Sequence, residues 1–162
     1  MLIADPQARI SHLADIEQST RGTKIVIESG SQIDSFVKVK CAGGTGDVHI
    51  GRNTYINSGS VIYTGNGIRI GDGVLIAANC TLAPVNHEFR LRDKSIVEQR
   101  FSPTKGGIVI EDDVWLGAGT VVLDGAHIGR GAVVAACSLV RGKLEPYGIY
   151  AGNPLRKIGE RE

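Results

Sequence analysis

A ruler of six residues runs through most of this 162-residue chain. Its marks fall on Ile27, Ile33 and Val39, then Ile50, Ile56 and Ile62, then Ile70, Ile76 and Leu82, and finally Ile110, Leu116, Val122, Ile128, Val134 and Val140. Every mark is Ile, Leu or Val. Four residues after the marks stand Ser31, Val37, Gly43, Thr54, Ser60, Asn66, Val74, Cys80, Asn86, Val114, Thr120, Ala126, Ala132, Ser138 and Leu144, of which only the last is large. A helix repeats its apolar face every three to four residues and a strand every two. A period of six, with one large and one small inward residue, belongs instead to a solenoid in which each hexad is one short strand and one bend.

The ruler is interrupted after every third hexad, so three strands make one coil: 27–44, 50–67, 70–87, 110–127 and 128–145. Three strands per coil give a triangular prism. The expected fold is therefore all-β, a parallel solenoid of about five triangular coils about 4.8 Å apart, with three stacked aliphatic columns inside. Gly51, Gly71, Gly117 and Gly129 follow marks and are expected where the prism bends. The composition agrees, since 22 Gly against three Phe, four Tyr and one Trp leave a core filled with smaller side chains. The whole chain reads as one domain. Residues 1–26 are expected to form an irregular cap, although Ile10 and Ile16 are six apart. Residues 146–162 are expected to close the other end, with a short helix started by Pro154 after Asn153.

Eighteen basic and seventeen acidic residues give a net charge of +1, which argues against nucleic acid or an anionic membrane as a partner. The opening MLIADPQARI has no basic segment before an apolar core, and the longest apolar run, Ala132 to Val140, is about half a membrane span. A cytoplasmic protein without membrane insertion is expected. Cys41, Cys80 and Cys137 have no paired metal spacing and no even count for disulfides. Cys80 stands at a small inward position and is expected to be a core side chain.

The ruler reaches His87 and then stops for the 22 residues from Glu88 to Val109, a stretch that holds Arg90, Arg92, Asp93, Lys94 and Arg100. Long excursions from compact scaffolds are usually functional or disordered. A protonatable side chain at the mouth of such an excursion is the chain's strongest candidate for chemistry.

The pieces VHIGRN with Asn57 soon after, IGDGVLIAANCTLAPVNH, IEDDVWLGAG and the closing AGNP together resemble the hexapeptide-repeat acyltransferases. Specifically, they are similar to the branch that O-acetylates galactosides, maltose and surface polysaccharide with acetyl-CoA, and the resemblance covers roughly residues 47–158. It implies a left-handed parallel β-helix, a homotrimer with active sites at subunit boundaries, and no metal. It also implies that His87 is the general base that removes a proton from the acceptor hydroxyl, a role suited to imidazole at neutral pH. Asn57 matches a residue that places the acceptor. The Ala118 N–H matches the donor to the thioester oxygen. Trp115 matches a tryptophan beside the acetyl and pantetheine region. The backbone around Ala136, with Arg141, Arg156 and Lys157, falls where the family holds the rest of the cofactor. The galactoside and maltose enzymes carry a longer helical segment before the repeats, so the compact chain points to a sugar acceptor of the surface-polysaccharide kind.

Three other readings compete. A γ-class carbonic anhydrase needs three converging histidines, and the spacing of His49, His87 and His127 does not match that pattern. An N-acetyltransferase of amino sugar nucleotides usually has an extra N-terminal domain, although single-domain forms exist. A non-catalytic solenoid has no use for a histidine and loop at these places. Finally, His127 holds the same place in the fourth coil as His87 in the third, which predicts that the two stack closely enough for His127 to tune His87.

Overall fold

The computed structural model describes residues 1–162. Its strands form three sheets of seven, eight and six strands, parallel and visited once per coil except for an antiparallel last strand on the eight-stranded sheet. They are the first, second and third faces of a prism. The ruler marks are inside: all fifteen are at most 1% exposed. Register carries them into columns. On the first face Ile27 pairs with Ile50, Ile50 with Ile70, Ile70 with Ile110 and Ile110 with Ile128. The second face stacks Ile33, Ile56, Ile76, Leu116 and Val134. The third stacks Val39, Ile62, Leu82, Val122 and Val140. Burying an aliphatic side chain of this size contributes roughly 1.5–3 kcal/mol, so the columns are the main source of stability.

The small positions have a polar function as well. Ser31 Oγ, Thr54 Oγ1 and Ser60 Oγ donate to the carbonyls of Gly51, Gly71 and Ala77 in the next coil, at 2.5, 2.9 and 3.2 Å. Cys80 Sγ does the same to Gly117 O at 3.3 Å. Burial pushes its thiol pKa up, which fits the expected core role for Cys80.

Both ends correct the sequence reading. Residues 1–26 are not an irregular cap: Leu2–Ala4, Arg9–Ile10 and Asp15–Ile16 add one strand to each face. They pair in register with Ile25–Ile27, Gln32–Ile33 and Lys38–Lys40. Ile10 and Ile16, six apart, continue the ruler below Ile27, and it extends back to Ala4, too small to be counted as a mark. The tail is not helical. Gly148–Ala151 continues the second face, and Arg156–Glu160 folds back on it antiparallel. The prism is therefore taller than five coils. Leu144 is large because the ruler shortens after Val140: it pairs with Ile128 and belongs to the first-face column.

The glycines do sit at bends, but for another reason than backbone freedom. Gly117 has no positive φ; a Cβ there would lie 2.5 Å from Ala136 N in the next coil. Positive φ belongs two residues later. At the bend between second and third faces Phe36, Gly59, Asn79, Gly119 and Cys137 all have φ between 56° and 73°.

Candidate active site

His87 lies beyond the third-face strand Thr81–Ala83, where the chain leaves the prism. The excursion returns on itself: His87 bridges Phe101 antiparallel, Glu88 N–H donates to Arg100 O at 3.0 Å, and Ser102 N–H to Asn86 O at 2.9 Å. The rings of His87 and Phe101 lie 4.8 Å apart, tilted by 35°. His87 Nδ1 is 3.2 Å from Arg100 O. A carbonyl only accepts, so in the neutral ring Nδ1 carries the hydrogen and Nε2 is left with its lone pair, facing solvent. The Arg100 backbone that aims this carbonyl has φ 63° and ψ −134°, a conformation that costs a non-glycine residue of order 1–3 kcal/mol.

The excursion is ordered by its own polar contacts. Ser95 and Glu98 form a reciprocal cap on the short helix Ile96–Gln99, and Gln99 bonds both the N–H and the carbonyl of Leu91. Its return is anchored by Asp124, the one buried carboxylate, which is 6% exposed. Asp124 accepts from Lys105 N at 2.8 Å, Gly107 N at 2.9 Å and Asn66 Nδ2 at 3.2 Å. Between anchor and histidine is a cleft of about 1110 Å³, lined by His87, Phe89, Lys105, Asp124 and Arg141 among others.

Of the expected site residues, only His87 and Arg141 meet there. Asn57, Ala118 and Ala136 lie at a different edge of the prism, between the second and third faces, with Ala136 in register with Ala118 and Asn57 one place earlier in its own coil. Asn57 Nδ2 donates to Ile76 O at 2.8 Å. The Ala118 N–H donates to no group of the chain, whereas its carbonyl accepts from Cys137 N at 2.8 Å. Trp115 stands beside this edge, 51% exposed, in register with Leu75, which in turn faces Tyr55. This apolar strip continues through Val133 and Ile149 to the tail strand. Arg156 and Lys157 lie on that strand, about 14 Å from Trp115 at three inter-strand steps. Lys157 is paired with Glu160, which raises its pKa.

The stacking of His127 on His87 is not found. The excursion begins at Pro84, so the third coil leaves register before reaching its last place. His127 instead lies on the first face, between Val109 and Lys143, with Nε2 2.7 Å from Glu111 Oε1. His49 is on that face too, bonded to Glu28 at 3.1 Å, so the histidines do not converge within one chain. Arg100, Phe101 and Asp124 were not singled out in the sequence. Arg100 acts through its backbone, which leaves no trace in residue type. Asp124 breaks the run of apolar and small residues around Val122, and that was the available signal.

A parallel β-solenoid with a hydrogen-bonded histidine at a loop mouth and an unpaired N–H beside an apolar strip defines a class, the hexapeptide-repeat transferases. Residues 107–142 match the family described as bacterial transferase hexapeptide (six repeats), and residues 47–84 match the hexapeptide repeat of succinyl-transferase. The chain belongs to the hexapeptide-repeat acetyltransferase family. It is 38% identical over 118 residues to the galactoside O-acetyltransferase of Escherichia coli, covering 70% of this chain and 54% of that protein. It thus spans about half the length of that relative. Among solved structures it is similar to the hexapeptide-repeat acetyltransferase VCA0836 of Vibrio cholerae in complex with acetyl-CoA, with TM-score 0.72, 30% identity, and coverage of 82% of this chain and 68% of that one. It is also similar to AntD, an N-acyltransferase from Bacillus cereus in complex with dTDP-4-amino-4,6-dideoxyglucose and coenzyme A, with TM-score 0.82, 27% identity, and coverage of 99% and 84%.

Proposed function

We propose that this protein is an acetyl-CoA-dependent O-acetyltransferase that modifies a sugar hydroxyl, in surface polysaccharide or its precursors, with His87 as general base. The observation that carries the reading is the hydrogen bond from His87 Nδ1 to Arg100 O, which leaves Nε2 as an exposed base at the mouth of a cleft. His87 Nε2 takes the hydroxyl proton as the acceptor oxygen attacks the thioester carbon, and it returns that proton to the departing thiolate. The Ala118 N–H donates to the carbonyl oxygen as negative charge develops there. Asn57 holds the acceptor. The apolar strip from Trp115 to the tail suits the pantetheine arm, and Arg141, Arg156 and Lys157 suit its phosphates.

The working unit is a homotrimer. His87 and Ala118 lie at different edges of one prism, so each site takes His87 from one copy and Asn57, Trp115 and Ala118 from its neighbour. The excursion exposes Phe89, Ile96 and Val97, at 69%, 56% and 83%, which is apolar surface suited to burial against a second copy. The likeness to AntD over nearly the whole chain supports a second reading, N-acylation of an amino sugar nucleotide. A thiol-release assay with acetyl-CoA against free sugars, sugar nucleotides, amino sugar nucleotides and polysaccharide fragments separates the two. Turnover only with amines would contradict O-acetylation, and a His87→Ala protein with full turnover would contradict the mechanism.

A further inference from the structure

The cleft beside His87 has an uneven charge. Its ionisable lining comprises His87, Glu88, Arg90, Lys105, Asp124 and Arg141. Both carboxylates are already engaged. Glu88 accepts from the N–H groups of Phe89 and Arg90, and its Oε1 is 3.4 Å from Arg90 Nε. Those backbone bonds hold its pKa below the ordinary value. Asp124 is buried, and its two oxygens receive three N–H donors. The cations of Lys105 and Arg141 are different: neither has a carboxylate oxygen within 4.0 Å, the distance that defines the eight ion pairs of the molecule.

Arg141 has a role in the donor reading above, whereas Lys105 has none. Yet Lys105 is placed with care. Its N–H donates to the buried Asp124, and its stem crosses Gly125 so closely that a Cβ on that glycine would come within 2.8 Å of Lys105 Cβ. The root of the side chain is thus fixed, and the exposed lysine lines the cleft together with Ser102 and Thr104. A cation without a partner in a partly enclosed cleft attracts anions and gains little from a neutral polyol.

We propose that Lys105 reads a negative charge on the acceptor, so that the preferred substrate is a sugar bearing a carboxylate or phosphate group. The inference rests on the acetyltransferase reading and names its substrate class. It is tested with the purified full chain by thiol release at saturating acetyl-CoA, using three acceptors with matching hydroxyls: a neutral methyl hexoside, the corresponding hexuronate and the corresponding hexose 6-phosphate. The expected result is a kcat/KM about tenfold higher for at least one anionic acceptor, the size of effect expected from one partly screened charge-assisted contact. The arm that rises identifies carboxylate or phosphate. In Lys105→Gln the ratio of anionic to neutral kcat/KM is expected to fall toward one through the acceptor KM.

Equal rates for all three acceptors overturn the inference and leave the acetyltransferase reading standing. A Lys105→Gln effect confined to the KM of acetyl-CoA assigns the lysine to the donor and also overturns it. Silence with every acceptor overturns the acetyltransferase reading beneath it.

Discussion

Two edges of the prism carry the proposed chemistry, and they are built by different physics. The edge between the second and third faces repeats: Ala118 and Ala136 recur at equivalent places because each coil returns in register, each followed by a residue of positive φ, and Asn57 stands one place earlier in its own coil. The edge where the third face returns to the first is broken once by the excursion that holds His87. Its geometry rests on contacts distant in sequence, from Asp124 to Lys105 and Gly107, from Asn66 to Asp124, and from Arg100 to His87. A repeat fixes backbone groups with little further specification, whereas a single departure from it needs individual polar anchors.

The sharpest way to separate the two edges is to disable each in turn. His87→Ala is expected to lower kcat by about 10²- to 10⁴-fold, the usual range for loss of a general base, with no change in melting temperature because the side chain is exposed. At the other edge, Ala118→Pro removes one N–H that bonds nothing within the chain. Position 118 precedes Gly119 with φ 69°, which is the place proline favours in a type II turn. A loss of about 10²- to 10³-fold in kcat is expected with the fold intact. An active Ala118→Pro protein would remove the backbone donor from the mechanism.

Asp124→Asn probes the anchor. One oxygen becomes an NH₂ that cannot accept from Lys105 N and Asn66, so a loss of about 1–3 kcal/mol is expected, read as a lower urea midpoint. A rise in acceptor KM should accompany it, larger than any change for acetyl-CoA. Equal changes in both would mean that the anchor serves stability alone.

Smaller effects are expected where neither edge is involved. Glu111 is held below its ordinary carboxyl pKa of 4.5 by the His127 hydrogen bond first and the Arg130 N–H second. A carboxylate with a depressed folded pKa contributes stability that is complete above its unfolded value and lost as pH falls through the folded one. Amide exchange around Glu111 and Arg130 should therefore quicken only below about pH 4.5. Faster exchange on raising the pH through neutrality, beyond the intrinsic base-catalysed rate, would contradict that sign.

The same contrast explains what the sequence made legible. Fifteen marks located the core and the three columns, because a period of six leaves an imprint on residue type at each repeat. The imprint faded at Ala4, whose side chain is too small to register, and at Leu144, where two residues are missing from the period. The tail strand was misjudged because Asn153 and Pro154 also suit a helix start. His87 was legible as the ruler's last place, but its partner was not: a carbonyl at Arg100 looks like any other in sequence. The expected contact with His127 failed because it extrapolated the ruler past Pro84, where the chain had already left it.

The central claim is that neither edge of one chain is a complete site. Two inactive proteins, His87→Ala and the double variant Asn57→Ala with Trp115→Ala, should be mixed after denaturation, refolded together and assayed by thiol release. With sites shared between neighbouring copies of a trimer, random mixing at equal amounts leaves about one quarter of the sites with both halves intact, so activity near a quarter of wild type is expected. A mixture as inactive as its two components would place the whole site within one chain and contradict the account.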